Sequence, residues 1–290
     1  METLAKTKIT VETAVNAPVE KVWDLWTDPR HVMHWNYASI DWHTPYAESD
    51  LKVGGKFFYR MESSDGKNGF NFSGEYNNIE LYKHIEYTIA DGRKVRVTFS
   101  PKGTGTRISE IFEAETANAP ERQQEGWQAI LDNFKRYAEY RNDIKHFEVD
   151  INAEPAKVYN ALISPETFEQ WSSVFSPGSH FKGSWSKGSK IRFIGSGKNG
   201  KEEGLIGRIR ENIPDKFISI EYFGFIKDGV DTMCGPEVDD WQGALENYTL
   251  VPGAGKTILA IDLDVIPEFS QLFEEQWPKA LEKLKEICER

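Results

Sequence analysis

The stretch VNAPVEKVWDLWTDPRHVMHW, residues 15–35, is answered by INAEPAKVYNALISPETFEQW, residues 151–171. The two align without a gap at an offset of 136 (151 − 15). Asn16 meets Asn152, Ala17 meets Ala153, Lys21-Val22 meets Lys157-Val158, Pro29 meets Pro165 and Trp35 meets Trp171. Further along, VGGKFFYR (53–60) answers KGSKIRF (187–193), and Trp127 in GWQAILDNF answers Trp277 in QWPKALEKL. Self-similarity over a whole unit means a duplicated fold, and about 140 residues is an ordinary domain size. The division expected is 1–142 and 143–290, with the join in YRNDIKHF between Tyr140 and Phe147.

Each copy has the same order of elements. An alternating strand comes first, Lys8 to Val15 or His146 to Ile151. A short helix follows, carrying Val22, Trp23 and Trp26, or Val158, Tyr159 and Leu162. Asp28-Pro29 and Ser164-Pro165 then read as an N-cap followed by Pro in the first turn of a second short helix. In copy one, strands are predicted over Lys56–Glu62, Phe70–Asn77, His84–Ala90, Lys94–Ser100 and Thr106–Ala114, with turns at Asp65-Gly66 and Asp91-Gly92. A long helix closes each copy, Pro120 to Tyr140 and about Glu268 to Cys288. One face carries Trp127, Ile130, Leu131, Phe134 and Ala138 in the first, and Phe273, Trp277, Leu281, Leu284 and Cys288 in the second. Pro278 is expected to kink the latter near Glu274. This is an α+β unit, a curved antiparallel sheet covered by one long helix. Gly74 and Gly207, in mid-strand, suit a bend or bulge.

The net charge of −11 excludes the basic footprint that nucleic acid or an anionic membrane requires. Two cysteines imply no disulfide framework. No apolar run approaches the ~20 residues of a membrane span. The start, METLAKTKITVET, is polar, so the cytoplasm is the expected location. Nine Trp and seventeen Phe are many for 290 residues, and such aromatic surface fills cores or lines cavities.

The series NAPVEKVWDLWTDP…HWN…DWH…VGGKFFYRMESSDG…GWQAILDNF resembles the SRPBCC (START-like, birch-allergen-like) superfamily. Within it, the chain is similar to the family related to the C-terminal domain of the activator of heat-shock protein 90 ATPase. Copy two, with NAEPAKVYNALISPETFEQWSSVFSPGS and WPKALEKLKEIC, is similar to the same family. The resemblance implies a helix-grip fold in tandem. It also implies two functions: a cavity for a small hydrophobic or amphipathic ligand, and a co-chaperone action on heat-shock protein 90 in the stress response. Both halves are the same unit, without a recognisable counterpart of that activator's separate N-terminal domain. A cyclase- or hydrolase-like enzyme is a further alternative.

The expected walls of the first cavity are Trp127, Ile130 and Phe134 against Phe57, Tyr59, Phe70 and Phe72, with Trp35 and Trp42 beside them. In copy two they are Trp277, Leu281 and Leu284 against Ile191 and Phe193, with Trp171 and Trp241. For any one of these residues ordinary core is the plainer role.

Segment 34–51, HWNYASIDWHTPYAESDL, offers His43 and Glu48 as an acid–base pair at a cavity rim. The plainer reading, a loop packing its tryptophans with its charges in water, is preferred for chemistry. Glu110 alternates with Ile108 and Phe112, which would point it inward where copy two has Ile261; a buried carboxylate there would need a partner, Arg60 or Arg96, or a raised pKa, and an exposed edge is the preferred reading. The acidic stretch 227–248 reads as a solvated loop, or else as a lid plugged by Trp241; Cys234 within it lacks a cationic neighbour that would make it a nucleophile. His31 and His34 have helical spacing, but nothing completes a metal site. No dinucleotide fingerprint is present, and no cofactor is expected. Gly255-Lys256-Thr257 mimics a phosphate loop, yet Leu250 stands where the first glycine belongs and an alternating strand follows. At an offset of 151, Pro101 meets Pro252 and Thr106 meets Thr257, so the string is read as a hairpin turn.

Overall fold

Alternation and helical stripes in the sequence become two antiparallel sheets, each with a long helix. The structure, a computed structural model, describes residues 7–140, 144–197, 200–235, 238, 242–265 and 267–290. The chain divides into two compact units, Met1–Asn142 and Asp143–Arg290.

Unit 1 runs β1 (Lys8–Val15), α1 (Val19–Thr27), α2 (Pro29–Trp35), β2 (Trp42–Ser49), β3 (Lys56–Ser63), β4 (Gly69–Glu80), β5 (His84–Ile89), β6 (Lys94–Lys102), β7 (Gly105–Glu113) and α3 (Pro120–Tyr140). The sheet order is β1-β7-β6-β5-β4-β3-β2, antiparallel throughout. Strand β1 therefore pairs with the last strand, and β7 lies inside the sheet.

Unit 2 repeats the plan with β8 (Ile144–Ile151), α4 (Pro155–Ile163), α5 (Pro165–Ser172), β9 (His180–Gly183), β10 (Lys190–Ser196), β11 (Glu202–Ile213), β12 (Phe217–Lys227), β13 (Val230–Thr232), β14 (Ala244–Pro252), β15 (Thr257–Asp264) and α6 (Pro267–Cys288). Its order is β8-β15-β14-β12-β11-β10-β9, with β13 added to β12. Each unit is the helix-grip fold, a curled antiparallel sheet with few helices.

The local signals act through ordinary physics. Asp28 caps α2 by accepting from the Arg30 backbone N–H at 2.9 Å, while Pro29 supplies a preset φ in the first turn. Ser164 holds the matching position before α5, but its hydroxyl donates back to the Asn160 carbonyl instead. Along β5 and β6, alternate residues are buried, as one covered face demands. Helix α3 buries Leu131, Phe134 and Ala138 almost completely. Each large apolar side chain so buried contributes roughly 1.5–3 kcal/mol before entropy is counted. Helix α6 continues as one helix through Pro278.

The duplication extends to single hydrogen bonds. Trp35 Nε1 donates to the Leu25 carbonyl, and Trp171 Nε1 to that of Leu162. Thr106 Oγ1 donates to the Ala17 carbonyl at 2.9 Å, and Thr257 Oγ1 to that of Ala153 at 2.7 Å. The turn before Thr257 joins β14 to β15, Pro252 pairs with Thr257, and Lys256 Nζ sits 3.3 Å from Asp150 on β8. Gly103 and Gly255 take φ of +62° and +73° in the two equivalent turns, where a side chain would be strained.

Two expected loops are strands. Residues 42–49 form β2, paired to β3 through a bulge between His43 and Tyr46. Within 227–248, residues 230–232 and 244–248 belong to β13 and β14. Trp241 lies outside the described residues. Among the described residues no helix is long and apolar enough to cross a membrane.

A Cβ at Gly74 would meet the Thr88 carbonyl at 2.5 Å and the Phe57 ring at 2.8 Å. Gly126, inside α3, faces open space. We expect Gly74→Ala to lose about 1–3 kcal/mol. Gly126→Ala should gain roughly 0.5–1 kcal/mol in the same urea titrations.

Candidate functional site

Between the inner face of the unit 1 sheet and α3 lies a cavity of about 400 Å³. Phe57, Tyr59 and Met61 reach it from β3, Phe70, Phe72 and Tyr76 from β4, Ile85 and Tyr87 from β5, and Glu110 from β7. Trp26 and Trp35 close it from the short helices, and Trp127 and Ile130 from α3. Thr27, Asn36, Arg93, Glu115, Asn118 and Gln123 complete the lining. The rings brace one another. Phe112 stacks on Trp127 at 4.0 Å, Phe72 meets Trp127 edge-on at 6.0 Å, and Phe57 lies 5.6 Å from Phe72.

Of the residues named from sequence, Trp35, Phe57, Tyr59, Phe70, Phe72, Trp127 and Ile130 meet in this lining. Phe134 does not. It is fully buried against Trp26 and Trp35, one turn further along α3. Trp42 stands outside the lining and touches it through Phe70, at 5.8 Å.

His43 and Glu48 pair in register with Glu62 and Phe58. Those partners alternate with Phe57, Tyr59 and Met61, so both candidates stand on the sheet face away from the cavity. Glu48 is exposed and accepts a hydrogen bond from Tyr46 Oη at 2.5 Å. The bulge in β2 shifts parity between the two residues, which periodicity alone does not reveal.

In unit 2 the corresponding residues are buried together. Trp171, Ile191, Trp277, Leu281 and Leu284 belong to one buried cluster, and Phe193 packs against it. Trp277 lies within ring contact of Phe147, Trp171, Phe175 and Tyr248.

Glu110 is the principal correction. It is 5% exposed, and β7 is flanked by β1 and β6, so no edge is available to it. Tyr87 Oη donates to its Oε1 at 3.1 Å. Arg60 instead pairs with Glu62, and Arg96 with Glu86. Burial pushes the Glu110 carboxyl up to about 7, against the opposing hydrogen bond from Tyr87. Beside it, Tyr59 bonds Tyr76, and Tyr76 Oη lies 2.9 Å from Ser49 Oγ. Burial raises the Tyr59 and Tyr87 phenols well above their ordinary range.

Unit 2 also buries an acid, which the sequence reading left in a solvated loop. Glu246 on β14 accepts from Tyr248 on Oε1 and from Tyr222 on Oε2, the latter at 3.1 Å, and burial raises its carboxyl. At the offset of 151 its counterpart is Val95, while that of Glu110 is Ile261, so the two acids are not repeat equivalents. A carboxylate two residues from a tyrosine at strand spacing, as in Glu246-Asn247-Tyr248, is the signal that was available.

His31 and His34 both engage Tyr137, the first through a 2.6 Å hydrogen bond and the second by stacking. Among the described residues no group of three His, Cys, Asp or Glu side chains is placed to hold a metal. Burial pushes the Cys288 thiol up to about 11, and Cys234 is exposed.

A curled sheet gripping one long helix, twice in one chain, defines a tandem helix-grip protein of the SRPBCC type. The chain belongs to the family described as Activator of Hsp90 ATPase homolog 1-like protein, whose model matches residues 16–139 and again 152–289. An AHSA1-like protein from Aeromonas hydrophila is 42% identical over 47% of this chain and 99% of its own, with a TM-score of 0.44. Chr148 from Cytophaga hutchinsonii is 51% identical over 45% of this chain and 90% of its own, with a TM-score of 0.41. The di-domain ARO/CYC StfQ of the steffimycin biosynthetic pathway shares the fold over 97% of each chain, at a TM-score of 0.58 and 13% identity. Among curated proteins none matches.

The buried acid has a stability consequence. A carboxyl near 7 in the folded state, against about 4.5 unfolded, binds its proton more tightly when folded. Its burial is therefore least costly below about pH 4.5, and stability falls as pH rises to 7. We expect Glu110→Gln to exceed the parent at pH 8 by up to about 3 kcal/mol in urea unfolding, with the difference fading below pH 5.

Proposed function

We propose that unit 1 is a binding module for a small hydrophobic or amphipathic molecule held between its sheet and α3. The observation that carries this is the 400 Å³ cavity, walled by aromatic rings with one buried acid and three tyrosines among them. Binding pockets are commonly of this size and make-up, apolar walls with a few polar groups that fix orientation. Trp26, Phe72, Trp127 and Ile130 all keep partial exposure, which a ligand would cover. His43 and Glu48, on the opposite sheet face, lend no support to a hydrolase- or cyclase-like reaction in this cavity.

Ile130→Trp would fill the cavity from α3. Native mass spectrometry of the full chain should show one apolar ligand bound to the parent and none to Ile130→Trp, at a melting temperature within a few degrees. Equal loading of both proteins overturns the reading.

A second reading follows from the family match over both halves. It holds that the chain docks on heat-shock protein 90 and raises its ATPase rate. The rate of purified heat-shock protein 90 should then rise several-fold on addition of the full chain; an unchanged rate with no co-elution removes this reading.

A further inference from the structure

Among the described residues, Glu110 is a buried acid without a counter-charge. Arg96, on the neighbouring β6, pairs with Glu86, and Arg60, on β3, pairs with Glu62. Arg93 is held by Asp91. Glu115, the other acid of the lining, accepts from Ala117 and Asn118 at its own turn. Glu246 makes the contrast: each of its oxygens accepts from a tyrosine, so the protein satisfies it internally. Glu110 accepts from one tyrosine, on one oxygen.

We propose that the occupant of the unit 1 cavity is an organic cation, a lipophilic amine or ammonium, whose charge pairs with Glu110 while its apolar body lies on the aromatic walls. This rests on the binding reading above. Ring faces attract cations as well as apolar groups, and Phe57, Phe72 and Trp127 surround the same space. A charge-assisted bond to a desolvated carboxylate is among the stronger polar contacts available to a ligand. The chain's net charge of −11 favours the approach of cations.

The groups facing Glu110 leave it as the group that titrates. Tyr87, Tyr59 and Tyr76 come from β5, β3 and β4, while Arg93 and Glu115 lie on the flanking turns. Its register partners on β1 and β6 are Val11 and Val97, and the helices present no titratable side chain to the cavity. Burial holds the carboxyl near 7, so below that pH an incoming ammonium must displace a proton. Its affinity therefore falls on acidification.

The test uses a matched pair, 2-naphthylmethylamine and 2-naphthylmethanol, titrated calorimetrically into the full chain. Near pH 8 the amine should bind at least about tenfold more tightly than the alcohol. That preference should vanish in Glu110→Gln, whose folding is checked by its melt. In the parent, amine affinity should drop several-fold between about pH 8 and pH 5.5, while alcohol affinity stays level; this arm needs no variant. Equal binding of the two probes, or a preference that persists in Glu110→Gln, overturns the cation and leaves the apolar cavity standing. Binding of neither probe overturns the cavity reading and the cation with it.

Discussion

The open edge of β1 is closed by the side chains of α3, and the geometry of unit 1 follows from that clasp. Gln124 and Gln128 donate to the Thr10 and Glu12 carbonyls, Glu12 N–H donates back to Gln128, and Lys135 and Glu139 take the Ala14 carbonyl and the Asn16 N–H. An edge strand's unpaired backbone groups are otherwise a template for aggregation. Here they fix the helix along one side of the sheet. Helix α3 is then bound to the β1 side and cannot also fill the space over β3 to β5. That space is what the aromatic rings line. Unit 2 repeats an element of the clasp, Asn152 N–H to Glu289, and buries Trp277 among its neighbours.

Placing an ionisable acid in such an interior costs stability, and both units do so. The cost differs in kind. Two tyrosines enclose Glu246 and make it a structural polar group within the sheet. One tyrosine supports Glu110, and the remaining capacity of its carboxyl faces a cavity. Satisfied buried networks rigidify a core, whereas an incompletely satisfied one stores affinity for whatever completes it. The units share a fold and divide in chemistry. Copying a domain preserves the backbone plan while single strand positions drift from valine to glutamate or from glutamate to isoleucine.

Much of the fold was legible because its signals are local. Period-2 alternation marked β1, β5, β6 and β7, and Asp28-Pro29 marked the start of α2. Segment 42–49 escaped because the β2 bulge breaks alternation, and its proline and polar residues read as a loop. Seven wall residues converged as their spacing suggested, since inward parity on β3 and β4 and the stripe of α3 are local properties. Phe134 shares that stripe yet lies in packed core one turn beyond Ile130, because distance along the helix axis, not parity, separates it from the cavity.

The sequence alone determined the duplication, the strand parity and the long closing helix, since each is written in spacings between near neighbours. Only the tertiary structure decided the fate of the acids. Glu110 looked like an edge residue until β1 returned to pair with β7 and enclosed it, a contact between residues about a hundred positions apart. That long-range pairing removes water from the carboxyl, and desolvation, a property of the assembled fold, sets its protonation and its appetite for charge.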